Sequence, residues 1–338
     1  MIGIISYLAF FLTIALIMAI AVLGLNLQWG YTGLFNGGIV AFFGAGAYGI
    51  ILLGGPDRID GLGGFSLPYP VALLGGIALA GLLALLVGLA TTRLRHDYLA
   101  IATFGVAIAM ESLMRNASWL TGGATGLRGF ERPFEALVGN SFAYNLLFLF
   151  FVVLCVSLVF LFLEILVRSP FGRLLRAVRE NERAARSLGK SPSAVRLTAF
   201  IIGAMIMGLS GALYATFYAF ISPQDLAPIL TFQIWAMLIV GGSGNNAGAV
   251  LGTLVVWGAW VGSGWLLTAI VPTHLQLYTG SIQYILVGSI IVFSLLWRPR
   301  GLLPEKLSVH PYPPANPDAA AQSSASSRSP SHPAENTQ

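Results

Sequence analysis

Long apolar runs, interrupted by glycine and by short polar stretches, dominate the hydrophobic pattern of the chain. Several of these runs reach the length of about 18 apolar residues at which an α-helix can cross a bilayer. The pattern predicts nine membrane-spanning helices, over residues 4–26, 33–54, 69–92, 98–118, 144–167, 197–221, 229–242, 246–271 and 281–297. The fold class we expect is an all-α polytopic membrane protein with about 8–10 transmembrane helices, some of them interrupted by glycine.

One stretch departs from this pattern, and we call residues 168–196 the basic segment. It holds eight of the 18 Lys and Arg residues of the chain and two acidic residues, Glu180 and Glu182. Its net charge is therefore +6, whereas that of the whole chain is +5. The positive-inside rule favours a cytoplasmic loop with its apolar face against the lipid surface. A docking surface for a cytoplasmic partner protein fits the same pattern equally well.

The spacing within the basic segment predicts an amphipathic helix. Ser169 is a typical N-cap, Pro170 suits the first helical position, and Gly189 is a typical residue after a helix C-terminus. Apolar residues recur between them every three or four positions, while arginines fill the other faces. Such a helix gains about 0.2–0.5 kcal/mol from each pair of opposite charges one turn apart. The pairs at this spacing are Arg176 with Glu180 and Glu182 with Arg186.

The composition excludes an ordinary soluble domain. Hydrophobic residues make up 56% of the chain and charged residues only 9%, whereas soluble domains carry about 25% charged residues. Cys155 is the only cysteine, which excludes an internal disulfide and a thiolate metal cluster. The four histidines are scattered over different loops and the C-terminal tail, with no carboxylate or cysteine at ligand spacing; they are His96, His274, His310 and His332. We therefore expect no metal site and no cofactor.

The distribution of basic residues predicts the orientation in the membrane. They follow the third, fifth and last predicted spans. Arg93, Arg95 and His96 follow the third span, the basic segment follows the fifth, and Arg298, Arg300 and Lys306 follow the last. These regions therefore fall on the cytoplasmic side, and an odd number of spans puts the N-terminus outside and the C-terminus inside. Residues 304–338 are rich in Pro, Ala, Ser and Asn. This composition predicts a disordered cytoplasmic tail after a transmembrane domain of residues 1–303.

Two stretches at predicted membrane depth resemble each other, and we call residues 30–48 the first glycine segment and residues 240–253 the second. Each combines adjacent glycines with asparagine near a turn, followed by small residues at helical spacing. Paired broken helices in two halves of a chain are typical of the path through a transporter. Close packing alone, of Gly33 with Gly37 or of Gly248 with Gly252, explains the pattern without a path. Both interpretations stay open at this point.

Few ionisable residues fall inside the predicted spans, and Glu111 is the clearest of them. A carboxylate at membrane depth is a candidate functional residue, in this case for binding a substrate ammonium group. Arg115 lies one helical turn away, so an ion pair near the outer end of the span is the alternative. Neutral polar residues at depth, which either bridge helices or offer amides to a carboxylate, are Asn36, Gln233, Asn245 and Asn246.

Two matches to nucleotide-binding motifs fail in their context. Residues 44–49 fit the dinucleotide pattern G-x-G-x-x-G, but they lie inside a predicted span and follow no strand. Residues 189–191 end like a phosphate-binding loop, yet Ala184 stands where the first glycine is required. We therefore expect no nucleotide site in this chain.

Several stretches along residues 25–305 match one known family in the right order. The basic segment, with RSPFGRLLRAVRENERAARSLGKSP, resembles the cytoplasmic signature of the branched-chain amino acid ABC permeases, in the M-type subunit of the pair. The other matching stretches are DYLAIATFG (97–105), LTGGATGL (120–127), GLSGALYATFYAFISP (208–223), MLIVGGSGNNAGAVLGT (237–253) and RPRGLL (298–303). The chain is thus similar to this family of branched-chain or neutral amino acid permeases, and residues 1–303 correspond to its permease domain.

The resemblance implies the transmembrane permease subunit of an ATP-driven importer for branched-chain or other neutral amino acids, in the bacterial inner membrane. The partners it implies are a second homologous permease subunit, two cytoplasmic ATP-binding subunits, a periplasmic substrate-binding protein and membrane lipid, without nucleic acid. ATP hydrolysis is expected on the separate subunits, so the chain itself is not expected to be an enzyme. The alternatives are the same fold with urea or a short amide as cargo, and a stand-alone secondary carrier.

Two groups of candidate residues follow. By resemblance, the residues expected on the ATPase-coupling surface are Arg173, Arg176, Arg179, Glu180, Asn181, Glu182, Ala184 and Gly189. The residues expected along the translocation path are Asn36, Gly37, Gly38, Glu111, Gln233, Gly241, Gly242, Ser243 and Asn245. Movement of the ATPases is expected to shift the coupling helices and to rock the two permeases so that the path opens inward.

Overall fold

A computed structural model describes residues 2–56, 63–91, 96–128, 132–133, 135, 139–270, 279–298 and 301–305 of the chain. These residues are almost entirely helical, which confirms an all-α polytopic membrane protein. The α-helices among them are α1 (Ile2–Leu25), α2 (Ile39–Gly54), α3 (Tyr69–Thr91), α4 (His96–Asn116), α5 (Ser118–Thr121), α6 (Ser141–Arg168), α7 (Pro170–Glu180), α8 (Glu182–Ser187), α9 (Pro192–Tyr218), α10 (Pro228–Gly241), α11 (Asn246–Ile270) and α12 (Thr279–Trp297).

Not every predicted span has the length of a full crossing. Six helices of the described residues are long and apolar enough to cross a membrane, namely α1, α3, α4, α6, α9 and α11. The apolar helices α2 and α10 have 16 and 14 residues, which extend about 24 Å and 21 Å. Both lengths fall short of a hydrocarbon core of about 30 Å. The predicted span 33–54 is wrong at its start: residues 33–38 are non-helical, since Gly33 takes a φ of +73°.

The buried core lies where α9 packs against α1, α2 and α3. Phe42, Phe43 and Phe200 are fully buried there. Glycine sets the spacing between α2 and α9, because a Cβ atom on Gly46 would overlap the Gly208 backbone. Gly49 is packed in the same way against Gly76 of α3, so these two glycines of residues 44–49 serve helix packing.

The first helix continues into a π-helical turn, Asn26–Tyr31, which the hydrophobic pattern does not predict. The amide side chains of Asn26 and Gln28 are buried in this turn. The turn ends at Thr32, whose hydroxyl donates to the Leu27 carbonyl at 2.9 Å. Isolated π-helical turns occur frequently at functional sites, so this turn is a candidate part of such a site.

The basic segment forms two helices rather than the single helix that its spacing predicts. The start of α7 is as predicted, with the Ser169 hydroxyl accepting from Phe171 N and Gly172 N. Asn181 then leaves the helical conformation, with φ −150° and ψ 94°, and caps α8 by accepting from Ala184 N at 3.0 Å. Asparagine is a strong N-cap, so it begins a new helix here and does not continue the old one.

The predicted ion pair between Arg176 and Glu180 is wrong. Glu180 lies 3.9 Å from Arg179, and Arg176 donates to the Val167 carbonyl at 3.3 Å. The carbonyl groups in the last turn of a helix lack partners within that helix. Arg176 therefore turns back towards the end of α6, where it finds an acceptor.

A glycine-rich turn joins α10 to α11 within the second glycine segment. Gly242 and Gly244 have φ angles of +106° and +81°, which residues with a side chain rarely adopt. After α12 the chain returns to this turn. Leu302 N donates to the Val240 carbonyl at 2.9 Å, and Leu303 N donates to the Gly241 carbonyl at 3.0 Å. These bonds satisfy carbonyl groups at the end of α10.

The segments that follow α4 and α9 pack together as a small non-α-helical unit. Its elements are the antiparallel strands β1 (Leu127–Arg128) and β2 (Phe220–Ile221) and two 3-10 helices, Gly123–Thr125 and Pro223–Leu226. Asp225 fixes the second 3-10 helix by accepting from the Ser222 N–H and hydroxyl at 2.8 and 2.7 Å. This arrangement satisfies backbone groups that would otherwise be unpaired where the helices stop.

Some sequence predictions concern residues outside the described part of the chain. These residues are Arg93, Arg95, His274, Arg300 and the predicted tail from 306 to 338. The compact unit that contains the helices ends at Glu305. Pro304 and Glu305, the first two residues of the predicted tail, both contact the second glycine segment.

Candidate functional site

The π-helical turn at the end of α1 is hydrogen-bonded to the second glycine segment. The Asn26 side-chain NH₂ donates to Asn246 Oδ1 at 2.9 Å, and Asn26 Oδ1 accepts from Gly244 N at 2.8 Å. Asn246 also donates to Glu164 at 3.2 Å, and Glu164 pairs with Arg168 at 2.6 Å. A chain of polar contacts thus runs from the first helix, through the second glycine segment, to the first residue of the basic segment.

Gln28 joins the same turn to the first glycine segment. Its Nε2 donates to the Phe200 carbonyl of α9, and its Oε1 accepts from Asn36 Nδ2, both at 2.8 Å. Asn36 Oδ1 accepts from Gly38 N at 2.7 Å, and the Asn36 carbonyl accepts from Trp235 Nε1 at 2.9 Å. Asn36 is fully buried, so these bonds hold the chain in place immediately before α2 begins.

The first glycine segment also rests directly on α4. Gly37 N donates to the Thr103 hydroxyl at 2.9 Å. A Cβ atom on Gly37 would press on the Ala100 carbonyl, and one on Gly38 would overlap the Thr103 carbonyl. Glycine at these two positions therefore lets a non-helical stretch approach the backbone of a helix.

An aromatic cluster, Trp29, Phe35 and Trp235, borders the first glycine segment. Phe35 stacks on Trp235 with ring centroids 4.3 Å apart, and Trp29 meets the two rings edge-on at 5.5 and 5.4 Å. Trp29 and Phe35 are partly exposed, so the cluster reaches the surface. With the buried amides of Gln28 and Asn36 beside it, the cluster forms an uncharged and largely apolar surface.

Arg179 brings the basic segment into contact with both glycine segments. Its guanidinium donates to the Gly30 carbonyl and pairs with Glu305, whose two oxygens lie at 3.1 and 3.0 Å. The Glu305 carboxylate in turn lies against Gly244. Gly33 packs against the aliphatic stem of Arg179. The side chains of Arg179 and Glu305 are only 22% and 18% exposed, which shields the ion pair from water.

A second ion pair fixes α8 to α9. Arg196 is buried in the first turns of α9, and its guanidinium contacts Glu182 at 2.9 Å. Glu182 also forms the predicted pair with Arg186, at 2.8 Å. Ion pairs therefore anchor both α7 and α8 of the basic segment to other parts of the chain, and the segment is not a free loop.

The residues predicted on the coupling surface divide into two sets. Arg176, Arg179 and Glu182 are half-buried and bonded to other parts of this chain. The exposed ones are Arg173, Glu180, Asn181, Ala184 and Gly189. The exposed set is the more accessible one in this conformation, whereas the half-buried set is engaged within the chain.

The residues predicted along the path also differ in accessibility. Those buried at the two glycine segments are Asn36, Gly37, Gly38, Gly241 and Gly242. The accessible ones are half-buried Glu111, Gln233 and Asn245 and exposed Ser243. Asn245 caps α11 by accepting from Ala247 N and Gly248 N at 3.0 and 3.3 Å.

Glu111 forms the ion pair that was one of its two predicted roles. Its carboxylate contacts Arg115 at 2.7 Å on α4. Among the described residues, no hydrogen bond or ion pair joins Glu111 to either glycine segment. The described part of the chain also has no group of three His, Cys, Asp or Glu side chains that could hold a metal ion.

Several residues of this site were missed by sequence reasoning. They are Asn26, Gln28, Thr103, Arg196, Trp235 and Glu305. The sequence did contain a signal for the first two, since amides at the end of a long apolar run must be bonded inside the membrane. No local signal marks Glu305, whose partner lies 126 positions away in the chain.

Comparison with known proteins gives matches over most of the chain. A family model described as the branched-chain amino acid transport system permease component matches residues 7–295. The high-affinity branched-chain amino acid transport system permease protein LivM of Escherichia coli K12 is 31% identical over 315 residues. This match covers 86% of the present chain and 69% of that protein. No solved structure matches significantly.

Two further relatives match more weakly. The probable branched-chain amino acid transport permease protein LivM of Methanocaldococcus jannaschii is 28% identical over 65% of this chain and 64% of its own length. The autoinducer 2 import system permease protein LsrC of Escherichia coli O157:H7 is 32% identical over 26% of this chain and 27% of its own. With a family match that extends across the helices described above, the chain belongs to the family of branched-chain amino acid transport permeases, which are transport proteins and not enzymes.

Proposed function

We propose that this chain is the transmembrane subunit of an ATP-driven importer of branched-chain or other neutral amino acids. It encloses the translocation path together with a second, similar permease. It receives the amino acid from a binding protein on the outer side and docks an ATPase subunit in the cytoplasm, where its basic segment and C-terminus lie. The names of the LivM relatives support this cargo.

The position of the basic segment carries the proposal. Its α7 helix contacts the first glycine segment at Gly30 and, through Glu305, the second at Gly244. Five predicted coupling residues remain exposed on α7, on α8 and in the loops that follow them. A protein that binds the exposed side therefore holds an element that is bonded to both glycine segments. Work done outside the membrane can reach a path inside it through such a rigid link.

The chemistry of the glycine segments suits an uncharged or zwitterionic cargo. The buried polar side chains that bond to them are uncharged: amides, a hydroxyl and an indole N–H, from Asn26, Gln28, Thr103 and Trp235. The aromatic cluster adds an apolar surface that suits an aliphatic side chain. No cluster of cations lines the described part of these segments, so a polyanion would find no counter-charge.

Reconstitution tests the proposal. The chain is placed in liposomes with the second permease, the ATPase subunits and the binding protein of its own transport system. Uptake of radiolabelled leucine, alanine, glutamate and urea is then measured with ATP and with a non-hydrolysable analogue. We expect uptake of leucine that requires hydrolysable ATP and the binding protein, and no uptake of glutamate.

Two outcomes would overturn this proposal. Uptake driven by an ion gradient, with this chain alone in the liposomes, would identify a secondary carrier. ATP-dependent uptake of urea without any amino acid would keep the mechanism but reject the cargo.

A further inference from the structure

We infer that Arg179 is a positioning residue through which the basic segment moves both glycine segments, with Glu305 as its partner. The inference rests on the proposed function, because it assigns the step between ATPase docking and movement of the path. Arg179 differs from the exposed residues of the same helix. Its guanidinium points into the protein and is bonded within this chain.

The first contact of Arg179 is at the end of the π-helical turn. The last carbonyl groups of a helix lack partners in the helix and carry partial negative charge. The carbonyls of residues 27–30 accept, in order, from Thr32 Oγ1, Leu34 N, Gly33 N and the Arg179 guanidinium. Arg179 therefore completes the end of the first helix, and a shift of α7 acts directly on that end.

The second contact runs through Glu305. Arg179 Nη2 bonds to both oxygens of this carboxylate, while Nη1 bonds to Gly30. Glu305 closely follows Leu302, which is bonded to the Val240 carbonyl at the end of α10. Residues 301–305, which we call the strap, thus connect α7 to the second glycine segment. Leu302 bonds to the second glycine segment, and Glu305 bonds to Arg179 of α7.

The Arg179–Glu305 ion pair packs against a glycine in each glycine segment. A Cβ atom on Gly33 would lie 3.0 Å from Arg179 Cγ, and one on Gly244 would lie 2.9 Å from the Glu305 carboxylate. Both glycines also have φ angles that disfavour a side chain, +73° and +81°. The fold therefore keeps room for this ion pair on both of its sides.

Arginine suits this position better than lysine. A guanidinium donates several hydrogen bonds in fixed directions, whereas an ammonium is a compact point charge on a flexible stem. Arg179 uses this geometry to hold a carbonyl and a carboxylate at the same time. Lysine at this position would retain the charge but would hold the two groups less firmly in their relative positions.

The reconstituted transporter tests the inference with Arg179→Gln, Arg179→Lys, Glu305→Gln and the double variant Arg179→Gln with Glu305→Gln. Arg298→Gln is the matched control, because Arg298 is an exposed arginine beyond the end of α12. Three quantities are measured for each: the amount of ATPase that copurifies, the rate of ATP hydrolysis with loaded binding protein, and the amino acid imported per ATP. Expression and elution in size-exclusion chromatography report folding, and Glu305→Gln decides the matter if Arg179→Gln does not fold.

We expect the Gln variants to retain the ATPase but to import about tenfold less amino acid per ATP, a loss typical of broken coupling between sites. The double variant should lose no more than the single ones, Arg179→Lys should be intermediate, and Arg298→Gln should match the unmodified protein. The inference is overturned if amino acid import and ATP hydrolysis fall in proportion. It is also overturned if the losses of import per ATP in the two single variants multiply in the double variant. Loss of the ATPase in Arg179→Gln alone would make Arg179 a docking residue. If the unmodified chain binds no ATPase, the proposed function itself fails.

Discussion

Asn26 and Asn246 lie 220 positions apart, yet their side-chain amides share a buried hydrogen bond of 2.9 Å. Asn26 belongs to the turn that ends the first membrane helix, and Asn246 is the first residue of α11. Water cannot satisfy these amides if they lie inside a bilayer. The bond therefore fixes the position of the second glycine segment against the end of the first helix.

Replacing Asn26 by Ala should lower the free energy of unfolding by about 1–3 kcal/mol, because Gly244 N and Asn246 Oδ1 would lose a buried partner. The measurement is unfolding in detergent micelles, followed by tryptophan fluorescence. Asn116→Ala is the matched control, since Asn116 is exposed and bonds to the Ser112 carbonyl within its own helix. Equal losses in both variants would show that the buried bond does not stabilise the protein.

Two glycine-to-alanine variants in helix interiors should differ in their effect on the melting temperature. A Cβ atom on Gly46 would overlap the Gly208 backbone, whereas one on Gly105 meets nothing within 4 Å. Alanine favours a helix by about 1 kcal/mol over glycine, so Gly105→Ala should leave the melting temperature unchanged or raise it. Gly46→Ala should lower the melting temperature, because overpacking costs about 1–3 kcal/mol or more. A similar change in both variants would contradict the contact between α2 and α9.

Charge reversal on the exposed face of α7 should weaken ATPase docking. Arg173 is exposed, and no described hydrogen bond or ion pair involves its side chain. Under the proposed function, Arg173→Glu should reduce the affinity for the ATPase about tenfold, which is about 1.4 kcal/mol. Membrane insertion should stay intact. The affinity is measured by titrating labelled ATPase against the solubilised permease.

Arg298→Glu is the control for docking, because it makes the same charge change at an exposed position outside the basic segment. If both variants weaken docking to the same extent, a general charge effect explains the loss. Undiminished docking in Arg173→Glu would remove this residue from the docking surface.

The ion pair between Arg196 and Glu182 should keep α8 in place. Arg196→Met removes this contact and leaves Glu182 paired with Arg186 alone. Backbone amides of α8 should then exchange hydrogen about tenfold faster, as expected for a loss of about 1.4 kcal/mol in local stability. Arg186→Gln keeps the contact with α9 and should have a smaller effect. Equal exchange in the two variants would show that α8 is anchored in another way.

The sequence predicted the helices because long apolar runs have few alternatives in a membrane. Local chemistry also predicted the start of α7 at Ser169 and Pro170 and the Glu182–Arg186 pair. Asn181 is a typical N-cap as well, but the regular amphipathic pattern around it concealed the end of α7. The π-helical turn escaped prediction because apolar periodicity does not distinguish it from the α-helix that precedes it.

Contacts between distant positions could not be predicted from spacing. Arg179 and Arg173 look alike in the sequence, yet one is bonded to Gly30 and Glu305 and the other is exposed. Which face of α7 is buried depends on where the end of α1 and the strap after α12 lie. The sequence also indicated the two glycine segments, but it did not indicate which amide side chains bond to them.

The pair between Arg179 and Glu305 also constrains how the protein is made. The ribosome must synthesise residue 305, and α12 must leave the translocon, before this pair can form. A nascent chain that stops earlier would insert its helices but leave Arg179 without its acidic partner. A subunit shortened before residue 305 would therefore keep the contact of the basic segment with Gly30 but lose the one that runs through Glu305.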